Sequence, residues 1–224
     1  MKGIIFDFNG TLFYDTYMHE RIWKQVYFDL TNKEISDEDF HNILFGADNT
    51  DIFKNIMGKE ISDEFIEEWS EKKEKIYRDY CESHPEEVHL LPGAIALFEE
   101  LKKRKIPFNI ATGAPKSNVD YYFEVFDLAK WFDYELAVFP YPGLKGKPDP
   151  QAYLEACKNI GVKPEDVLVF EDSKNGIRAA ARANVAQIIA VDPENKNKDY
   201  KKIDRVSRII KDYTEFNLDD YEWN

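Results

Sequence analysis

Short, continuous runs of apolar residues recur along the chain and alternate with stretches of helical periodicity. The apolar runs are residues 3–8, 107–111, 136–139, 167–170 and 186–191, with a weaker run at 206–210. Continuous apolarity is typical of strands in a parallel sheet that is covered on both faces. Helical patterns lie between the runs at 94–103, 150–160 and 174–183, and a terminal helix is expected after the last strand. This alternation predicts an α/β fold with a doubly wound parallel sheet.

Between the first strand and the next strand–helix unit, the apolar spacing is helical throughout. One helix is predicted at 16–30, with an apolar face formed by Ile22, Trp23, Val26 and Tyr27. A four- or five-helix insertion of this kind would form a small second domain. We therefore predict a core domain, residues 1–14 and 89–224, and an inserted all-helical domain, residues 15–88.

The last helix of the insertion is long and charged, and it is predicted at 64–82. Its apolar face is predicted to consist of Phe65, Trp69 and Ile76. The acidic residues of the same helix are predicted to form a solvated face. These residues are Glu67, Glu68, Glu71 and Glu74.

The composition narrows the possible partners of the 224-residue chain. The net charge is -13, which argues against nucleic acid because phosphate backbones are bound by an excess of Lys and Arg. Cys81 and Cys157 lie far apart without a CxxC motif, so neither a disulfide framework nor a zinc site is expected. No apolar run approaches the roughly 20 residues that span a bilayer, and the N-terminal run is too short for a signal peptide. We expect a cytoplasmic protein without a membrane partner, either a monomer or a weak homodimer.

Polar residues follow four of the predicted strands. Each has a simple structural explanation when taken singly, as a helix cap, a turn residue or a solvated lysine. Ligands of open parallel sheets bind beyond the carboxyl ends of the strands, where all of these residues are expected to meet. The residues are Asp7, Thr112, Gly113, Lys147, Glu171 and Asp172.

Phosphoryl transfer is the chemistry that fits this set, because it requires a nucleophile, positioning and charge neutralisation. Asp7 is predicted to attack phosphorus and form an aspartyl-phosphate. Asp7, Asp172 and a backbone carbonyl are predicted to hold Mg²⁺, which prefers oxygen ligands.

The phosphoryl oxygens need hydrogen-bond donors and positive charge. Thr112 and the backbone N–H groups at Gly10 and Gly113 are predicted to supply the donors, and Lys147 is predicted to supply the charge. The helix that starts after Asp172 adds the positive end of its dipole. The partner predicted by this site is a small phosphorylated metabolite.

Four motifs in order, DFNGT, ATG, KGKPDP and FEDSKNG, resemble those of the haloacid dehalogenase (HAD) superfamily of phosphohydrolases. The resemblance covers about two-thirds of the chain and implies a Rossmann-like core, with the helical insertion as a mobile cap. It implies Mg²⁺ as the cofactor and a backbone carbonyl of Asn9 as a metal ligand. It also implies that Glu171 supports the metal through a water or a neighbouring contact.

Within that family, the segments DTYMHERIW and FGADNTDIF are similar to the β-phosphoglucomutase-like branch, which has a helical cap. The first implies that His19 is a proton carrier or a substrate contact, although a hinge or packing role is equally consistent with the sequence. The second corresponds to the cap loop that reaches into the site, where Asp48 is the predicted substrate contact. Trp23 is expected in the core of the cap.

Asn9 departs from the family pattern. HAD hydrolases normally have a second Asp at this position, which protonates the leaving alcohol and later deprotonates the attacking water. An amide preserves the shape and the backbone carbonyl but carries no exchangeable proton for this purpose. General acid–base catalysis is typically worth about 10²–10⁴-fold, so turnover is expected to persist only for good leaving groups.

Four hypotheses account for Asn9. The chain is a natural slow or specialised phosphatase, acting for example on acyl phosphates; or it is an engineered Asp-to-Asn variant of a phosphatase or mutase. It is a relative of phosphonoacetaldehyde hydrolase, for which Lys54 would be the nearest lysine; or it is a pseudoenzyme that binds a phosphorylated metabolite. The Asn9–Gly10 pair is also prone to deamidation, which would restore an Asp.

The sequence favours the phosphatase, with Asp7, Asn9, Thr112 and Lys147 at its catalytic site.

Overall fold

The computed structural model describes residues 1–37, 39–40 and 49–223. The chain forms two compact units. The core unit consists of Met1–Tyr14 and His89–Asn224, and the helical unit consists of Asp15–Val88.

The core unit is built on a five-stranded sheet in which every pair of neighbouring strands is parallel. The strands are β1 Gly3–Phe6, β2 Phe108–Ile110, β3 Val167–Glu171, β4 Gln187–Val191 and β5 Val206–Ile210. Their order in the sheet is β2-β1-β3-β4-β5. The predicted doubly wound parallel sheet is confirmed.

The strand order reverses beside β1, since the chain moves from β1 to β2 on one side and then crosses to β3 on the other. β1 and β3 are in register, with Ile5 opposite Val169 and Phe6 opposite Phe170. Open α/β sheets bind ligands at such a reversal, beyond the carboxyl ends of the two strands. The sequence that follows β1 and the sequence that ends β3 therefore meet at the favoured position for a site.

Seven α-helices lie within the described residues. They are α1 Thr16–Thr31, α2 Asn49–Met57, α3 Asp63–Ser83, α4 Ala94–Arg104, α5 Lys116–Val125, α6 Gln151–Asn159 and α7 Lys174–Arg182. Side-chain caps fix two of the starts: Ser62 accepts from the Phe65 N–H before α3, and Ser173 accepts from the Gly176 N–H before α7.

Both faces of the sheet are covered by apolar side chains, as continuous apolar strands require. On one face, Ile5 and Val169 pack with residues of α6 and α7, including Tyr153 and Ile177. On the other face, the aromatic ring of Phe6 lies among five aromatic rings. These rings belong to Phe98, Phe108, Phe132, Phe170 and Tyr213.

The predicted strand at 136–139 and the predicted terminal helix are both wrong. Val138 makes a single bridge to Ala111, preceded by a 3₁₀ turn at Tyr134–Leu136. Pro140 follows and has no N–H group to extend a ladder. Beyond β5, within the described residues, the chain forms 3₁₀ turns at Tyr213–Glu215 and Leu218–Asp220. The capping residues of these turns, Asp212 and Asn217, favour turns over helix interiors.

Within the helical unit, α1 buries Met18, Ile22, Trp23 and Val26. Trp23 packs edge-on against Phe53, which places it in the core of this unit as expected. The predicted number of helices cannot be compared, because the segment 41–48 lies outside the described residues.

The predicted face of α3 is wrong. The helix buries Ile66, Tyr77 and Cys81, whereas Phe65, Trp69 and Ile76 are only half-buried. Glu74, expected in solvent, is 3% exposed and lies beside the equally buried Lys73. The Lys73–Glu74 pair places two charged residues on the inward face of the helix, so the spacing of apolar residues alone does not identify that face. Glu67, Glu68 and Glu71 are exposed as expected.

Candidate active site

Lys147 binds three groups at the carboxyl end of the sheet. Its Nζ donates to Asp7 Oδ1 at 2.6 Å, to Glu171 Oε1 at 2.8 Å and to the carbonyl of Ala111 at 3.2 Å. Asp7 directly follows β1, and its own N–H continues the sheet by donating to the carbonyl of Phe170. The ammonium therefore ties together the ends of β1, β2 and β3.

Glu171 is the last residue of β3, and its carboxylate accepts three hydrogen bonds within the core unit. Its Oε1 accepts from Lys147 and, at 3.2 Å, from the hydroxyl of Tyr153, while its Oε2 accepts from the Ser173 N–H at 2.7 Å. The start of α7 lies against this carboxylate. A Cβ at Gly176 would come within 1.5 Å of Oε1, so glycine is required there.

Asp172 follows Glu171 and is fixed by Thr11, whose Oγ1 donates to Asp172 Oδ1 at 3.0 Å. The loop after β1 approaches this carboxylate closely at Gly10, where a Cβ would come within 2.1 Å of Asp172 Oδ2. Gly10 also has a φ of 72°, which L side chains rarely adopt. The glycine of the DFNGT motif is therefore needed both for the turn and for the approach to Asp172.

The electrostatics of the site are dominated by buried negative charge. Burial raises the pKa of Asp7 to about 7, with Glu171 adding to the shift and Lys147 opposing it. Burial, Glu171 and Asp7 together raise the pKa of Asp172 well above its ordinary value. Burial opposes the charge of Lys147, but Asp7 and Glu171 outweigh it and raise the pKa of Lys147. Three carboxylates thus share one ammonium.

These carboxylates fit a divalent cation. Asp7, Glu171 and Asp172 each offer an oxygen, and these atoms lie within 4.8 Å of one another. An all-oxygen donor set suits Mg²⁺, and two positive charges would balance the excess of two carboxylates over Lys147. Because Glu171 already accepts three hydrogen bonds, Asp7 and Asp172 are the better placed ligands. The backbone carbonyl of Asn9 stays a predicted ligand.

Thr112 follows β2 and is buried at the same end of the sheet. Its N–H donates to the carbonyl of Val138, and its Oγ1 accepts from the Ala114 N–H at 3.1 Å. The accepted bond leaves the hydroxyl proton of Thr112 available to donate. Gly113, the next residue, is exposed and has open space around its Cα.

Asn9 lies on the loop after β1, where its Nδ2 donates to the hydroxyl of Tyr122 at 2.7 Å. The ring of Tyr122, on α5, stacks on Phe8 with centroids 4.4 Å apart. The Gly10 N–H, which would attack the Asn9 side chain in deamidation, donates instead to the carbonyl of Phe13 at 2.7 Å. The structure therefore holds Asn9 as an amide in a fixed position.

His19 belongs to the helical unit, and both of its ring nitrogens are engaged there. Nδ1 lies 2.9 Å from Lys73 Nζ, and Nε2 lies 3.2 Å from Asp15 Oδ2. The ring stacks on Tyr77 with centroids 4.3 Å apart. These contacts give His19 the packing role that the sequence left open, and its substrate role stays a prediction. Asp48 lies outside the described residues.

Three contributors to the site were missed by sequence reasoning: Thr11, Tyr122 and Tyr153. Thr11 lies in the DFNGT motif itself, and that position was the available signal. Tyr122 lies on α5, a helix that was not predicted, in an aromatic-rich segment of low helix propensity. Tyr153 lies in the helical pattern at 150–160, and nothing in the spacing marks its hydroxyl as reaching the site.

No helix within the described part of the chain is both long enough and apolar enough to cross a membrane.

Comparison with known proteins gives consistent matches. The family model of the haloacid dehalogenase-like hydrolases matches residues 1–184. The chain is 28% identical over 195 residues to the phosphorylated carbohydrates phosphatase of Thermotoga maritima, and the alignment covers 85% of each chain. A HAD hydrolase of family IA, variant 3, from Entamoeba histolytica is 35% identical, with a TM-score of 0.90 over 98% of this chain and 96% of the other.

The β-phosphoglucomutase of Clostridium difficile has the same fold. Its TM-score is 0.77 over 98% of this chain and 94% of the other, at 19% identity. Together these matches confirm the family resemblance predicted from the four sequence motifs.

Proposed function

The chain belongs to the haloacid dehalogenase-like hydrolases, and from this premise we propose that it is a Mg²⁺-dependent phosphomonoester hydrolase. The observation that carries the proposal is the cluster at the reversal of strand order. There, Lys147 holds Asp7 and Glu171, and the three carboxylates of Asp7, Glu171 and Asp172 are close enough to share a cation.

Asp7 is the proposed nucleophile. One of its oxygens attacks the phosphorus of the substrate, so that an O–P bond forms while the bond from phosphorus to the leaving oxygen breaks. Lys147 lies 2.6 Å from Asp7 Oδ1, which orients the carboxylate and favours its ionised form against the opposing effect of burial. Lys147 also offsets the charge that the incoming phosphoryl group brings into a buried, acidic site.

Thr112 and the N–H groups of the turns at Gly10 and Gly113 are the proposed donors to the phosphoryl oxygens. Thr112 is suited to this role because its oxygen is oriented by the Ala114 N–H. Asp7, Asp172 and the Asn9 carbonyl are the proposed ligands of Mg²⁺, supported by Glu171. When bound, Mg²⁺ would neutralise phosphoryl charge and orient the group for in-line attack.

The helical unit, residues 15–88, is the proposed cap domain, with Asp48 and His19 as its proposed substrate contacts. Cap closure would exclude water and select the substrate. The Thermotoga maritima relative is named for phosphorylated carbohydrates, which supports a small phosphorylated metabolite of that kind as the substrate here. A cytoplasmic location and a monomeric or weakly dimeric state complete the proposal.

Asn9 makes a phosphatase a better proposal than a mutase. Transfer of a phosphoryl group between sugar hydroxyls requires proton transfer at both ends, and an amide supplies neither. Lys54, the lysine weighed for a phosphonoacetaldehyde hydrolase, lies in the last turn of α2. Within the described residues, no contact of Lys54 favours that reaction.

Turnover of p-nitrophenyl phosphate with Mg²⁺ tests the proposal. The unmodified chain is expected to be active, Asp7→Ala to be inactive, and EDTA to abolish the activity. Asn9→Asp is expected to raise turnover by up to about 10²–10⁴-fold, the typical contribution of a general acid–base group. Asp120→Ala is the matched control, because this carboxylate is exposed and paired with Lys116 on the surface.

The other hypotheses predict different results. If all variants including Asn9→Asp are silent with p-nitrophenyl phosphate and with acetyl phosphate, the chain is a phosphate-binding protein and not a phosphatase. If Asp7→Ala retains the turnover of the unmodified chain, Asp7 is not the nucleophile.

A further inference from the structure

The two halves of the proposed reaction depend differently on Asn9. We propose that the enzyme accumulates its aspartyl-phosphate on Asp7 when it is given acyl phosphates, whose leaving group departs without a proton. The inference rests on the proposed function and adds to it a slow second step and a class of phosphoryl donor that completes the first step without a proton.

The first observation is that the residue two positions after Asp7, where the family resemblance implies a proton-transferring Asp, is an amide in a fixed position. Its Nδ2 donates to the Tyr122 hydroxyl at 2.7 Å, and Tyr122 is itself buried and stacked on Phe8. The Gly10 N–H is bound to the Phe13 carbonyl, which disfavours conversion of Asn9 to an acid. The site therefore works with an amide that neither donates a proton to a leaving group nor accepts one from water.

The second observation is that the charged neighbours of Asp7 have their polar atoms engaged. Lys147 is a cation with three bonds donated, to Asp7, Glu171 and the Ala111 carbonyl. Glu171 accepts three hydrogen bonds, and Asp172 accepts one from Thr11. Deprotonating a water through Lys147 or Glu171 would break the network that orients Asp7, and Asp172 is already a proposed ligand of Mg²⁺.

The third observation concerns histidine, the usual base at neutral pH. The sequence of the core unit contains a single histidine, His89, which is exposed and directed to the Leu90 carbonyl. In the helical unit, His19 has both ring nitrogens engaged, by Lys73 and Asp15. The remaining described histidine, His84, has its Nδ1 against the carbonyl of Tyr80, and His41 lies outside the described residues.

The chemistry then separates the two steps. With an acyl phosphate, an Asp7 oxygen bonds to phosphorus, the bond from phosphorus to the acyl oxygen breaks, and the carboxylate leaves with the electron pair and without a proton. In the second step, water bonds to phosphorus, the bond from phosphorus to Asp7 breaks, and the water proton must pass to a base. Without that base, the second step is expected to be about 10²–10⁴-fold slower than in Asn9→Asp.

The test mixes the enzyme with acetyl phosphate and Mg²⁺, then measures acetate, phosphate and intact protein mass after acid quenching. The unmodified chain is expected to release a burst of acetate equal to the enzyme concentration, to gain the mass of one phosphoryl group, and to release phosphate slowly. Peptide mapping should place a hydroxylamine-sensitive adduct on Asp7. Asn9→Asp should show no burst and no adduct, and Asp7→Ala should show neither acetate release nor an adduct.

A second measurement keeps the test decisive if Asn9→Asp does not fold. A small external base such as imidazole should accelerate phosphate release from the unmodified chain and shorten the lifetime of the adduct. Asp7-dependent turnover without a burst or an adduct would overturn this inference and leave the phosphatase proposal standing. Absence of acetate release from both the unmodified chain and Asn9→Asp would also overturn this inference, whereas the phosphatase proposal fails only if p-nitrophenyl phosphate is not turned over either.

Discussion

Lys147 is positioned by its contact with an aromatic ring as well as by its hydrogen bonds. Its Nζ lies 4.9 Å from the centroid of the Tyr153 ring, and the hydroxyl of the same tyrosine donates to Glu171. Tyr153 is thus a positioning residue that acts on the two groups that orient Asp7. The hydroxyl and the ring have separable effects, because Phe retains the ring and removes only the hydroxyl.

We predict that Tyr153→Phe lowers kcat about 10-fold or more with little change in KM, because loss of a hydrogen bond that orients the groups around a metal site typically costs about 10–100-fold in activity. Tyr153→Leu should lower kcat further, since it also removes the cation–π contact. The measurement is steady-state kinetics together with the melting temperature. Tyr141→Phe is the matched control: it removes a surface hydrogen bond to Glu155 and should leave kcat unchanged. Equal kcat values for Tyr153→Phe and the unmodified chain would show that the Tyr153 hydroxyl does not position the catalytic groups.

The acidic cluster also has a consequence for the metal-free protein. The pKa of Asp7 is about 7 in the folded chain against an ordinary value of 3.8, so the folded state binds more protons between these values. We predict that stability in EDTA falls as pH rises from about 4 to about 7, with Asp172 acting in the same direction. Urea titrations across this range measure the slope.

Two comparisons make this pH experiment specific. Asp172→Asn should reduce the slope and stabilise the metal-free protein at pH 7.5, because it removes a buried negative charge. Mg²⁺ should stabilise the unmodified chain at pH 7.5 and should stabilise Asp172→Asn much less. A slope that is the same in both proteins would contradict the shifted pKa values of the cluster.

At the residue scale, sequence motifs identified the charged residues of the site but missed the tyrosines that hydrogen-bond to its residues. Asp7 and Asp172 could be predicted because each lies at the end of a recognisable strand, and strand ends of a parallel sheet converge. Lys147 was located by the KGKPDP motif, since the run 136–139 that precedes it makes only a single bridge. Tyr153 and Tyr122 could not, because they reach the site from helix interiors. Their contribution depends on helix rotation and packing, which the spacing of motifs does not encode.

At the scale of elements, α3 shows where hydropathy patterns fail. Lys73 and Glu74 are almost completely buried and form an ion pair at 2.9 Å, and Asn49 also donates to the Glu74 carboxylate. Burial opposes the charge of Glu74, but Lys73, His19 and Asn49 outweigh it and lower its pKa to about 2. Pairing inside the unit thus permits charges on a face that the sequence pattern assigns to solvent.

We predict that Lys73→Met destabilises the protein by about 3–5 kcal/mol, because it leaves the Glu74 carboxylate buried without its partner. Lys75→Met is the matched control two residues along the same helix, where an exposed lysine pairs with Asp79. That control should cost at most about 0.5 kcal/mol, the value of an exposed pair on a helix. Chemical denaturation measures both variants. Equal costs would show that the Lys73–Glu74 pair is not desolvated in solution.

Coverage of the sheet on both faces explains which strands could be predicted from the sequence. Strands β1, β3 and β4 are covered on both faces, so their continuous apolar sequence is sufficient to predict them as strands. The run 136–139 is equally apolar, but a turn precedes it and Pro140 follows, and it makes a single bridge at Val138 instead of a strand. Strand assignment there depends on the availability of an open sheet edge, which is a property of the assembled fold.

At the scale of the whole molecule, a net charge of -13 must accommodate an anionic substrate. Long-range repulsion between a negatively charged protein and a phosphate ester slows their encounter, and salt screens it. Local attraction by Lys147 acts over a few ångströms and is screened much less because the group is buried.

We therefore predict that kcat/KM for p-nitrophenyl phosphate rises roughly twofold or more as ionic strength increases from about 0.01 to 0.15 M, where the Debye length falls from about 30 to about 8 Å. The kcat should stay constant, because the bound substrate interacts with buried groups. Free Mg²⁺ must be held fixed in the measurement, and inorganic phosphate as a competitive inhibitor should bind with the same salt trend. A kcat/KM that falls with salt would mean that a positive local field, and not the net charge, governs substrate approach.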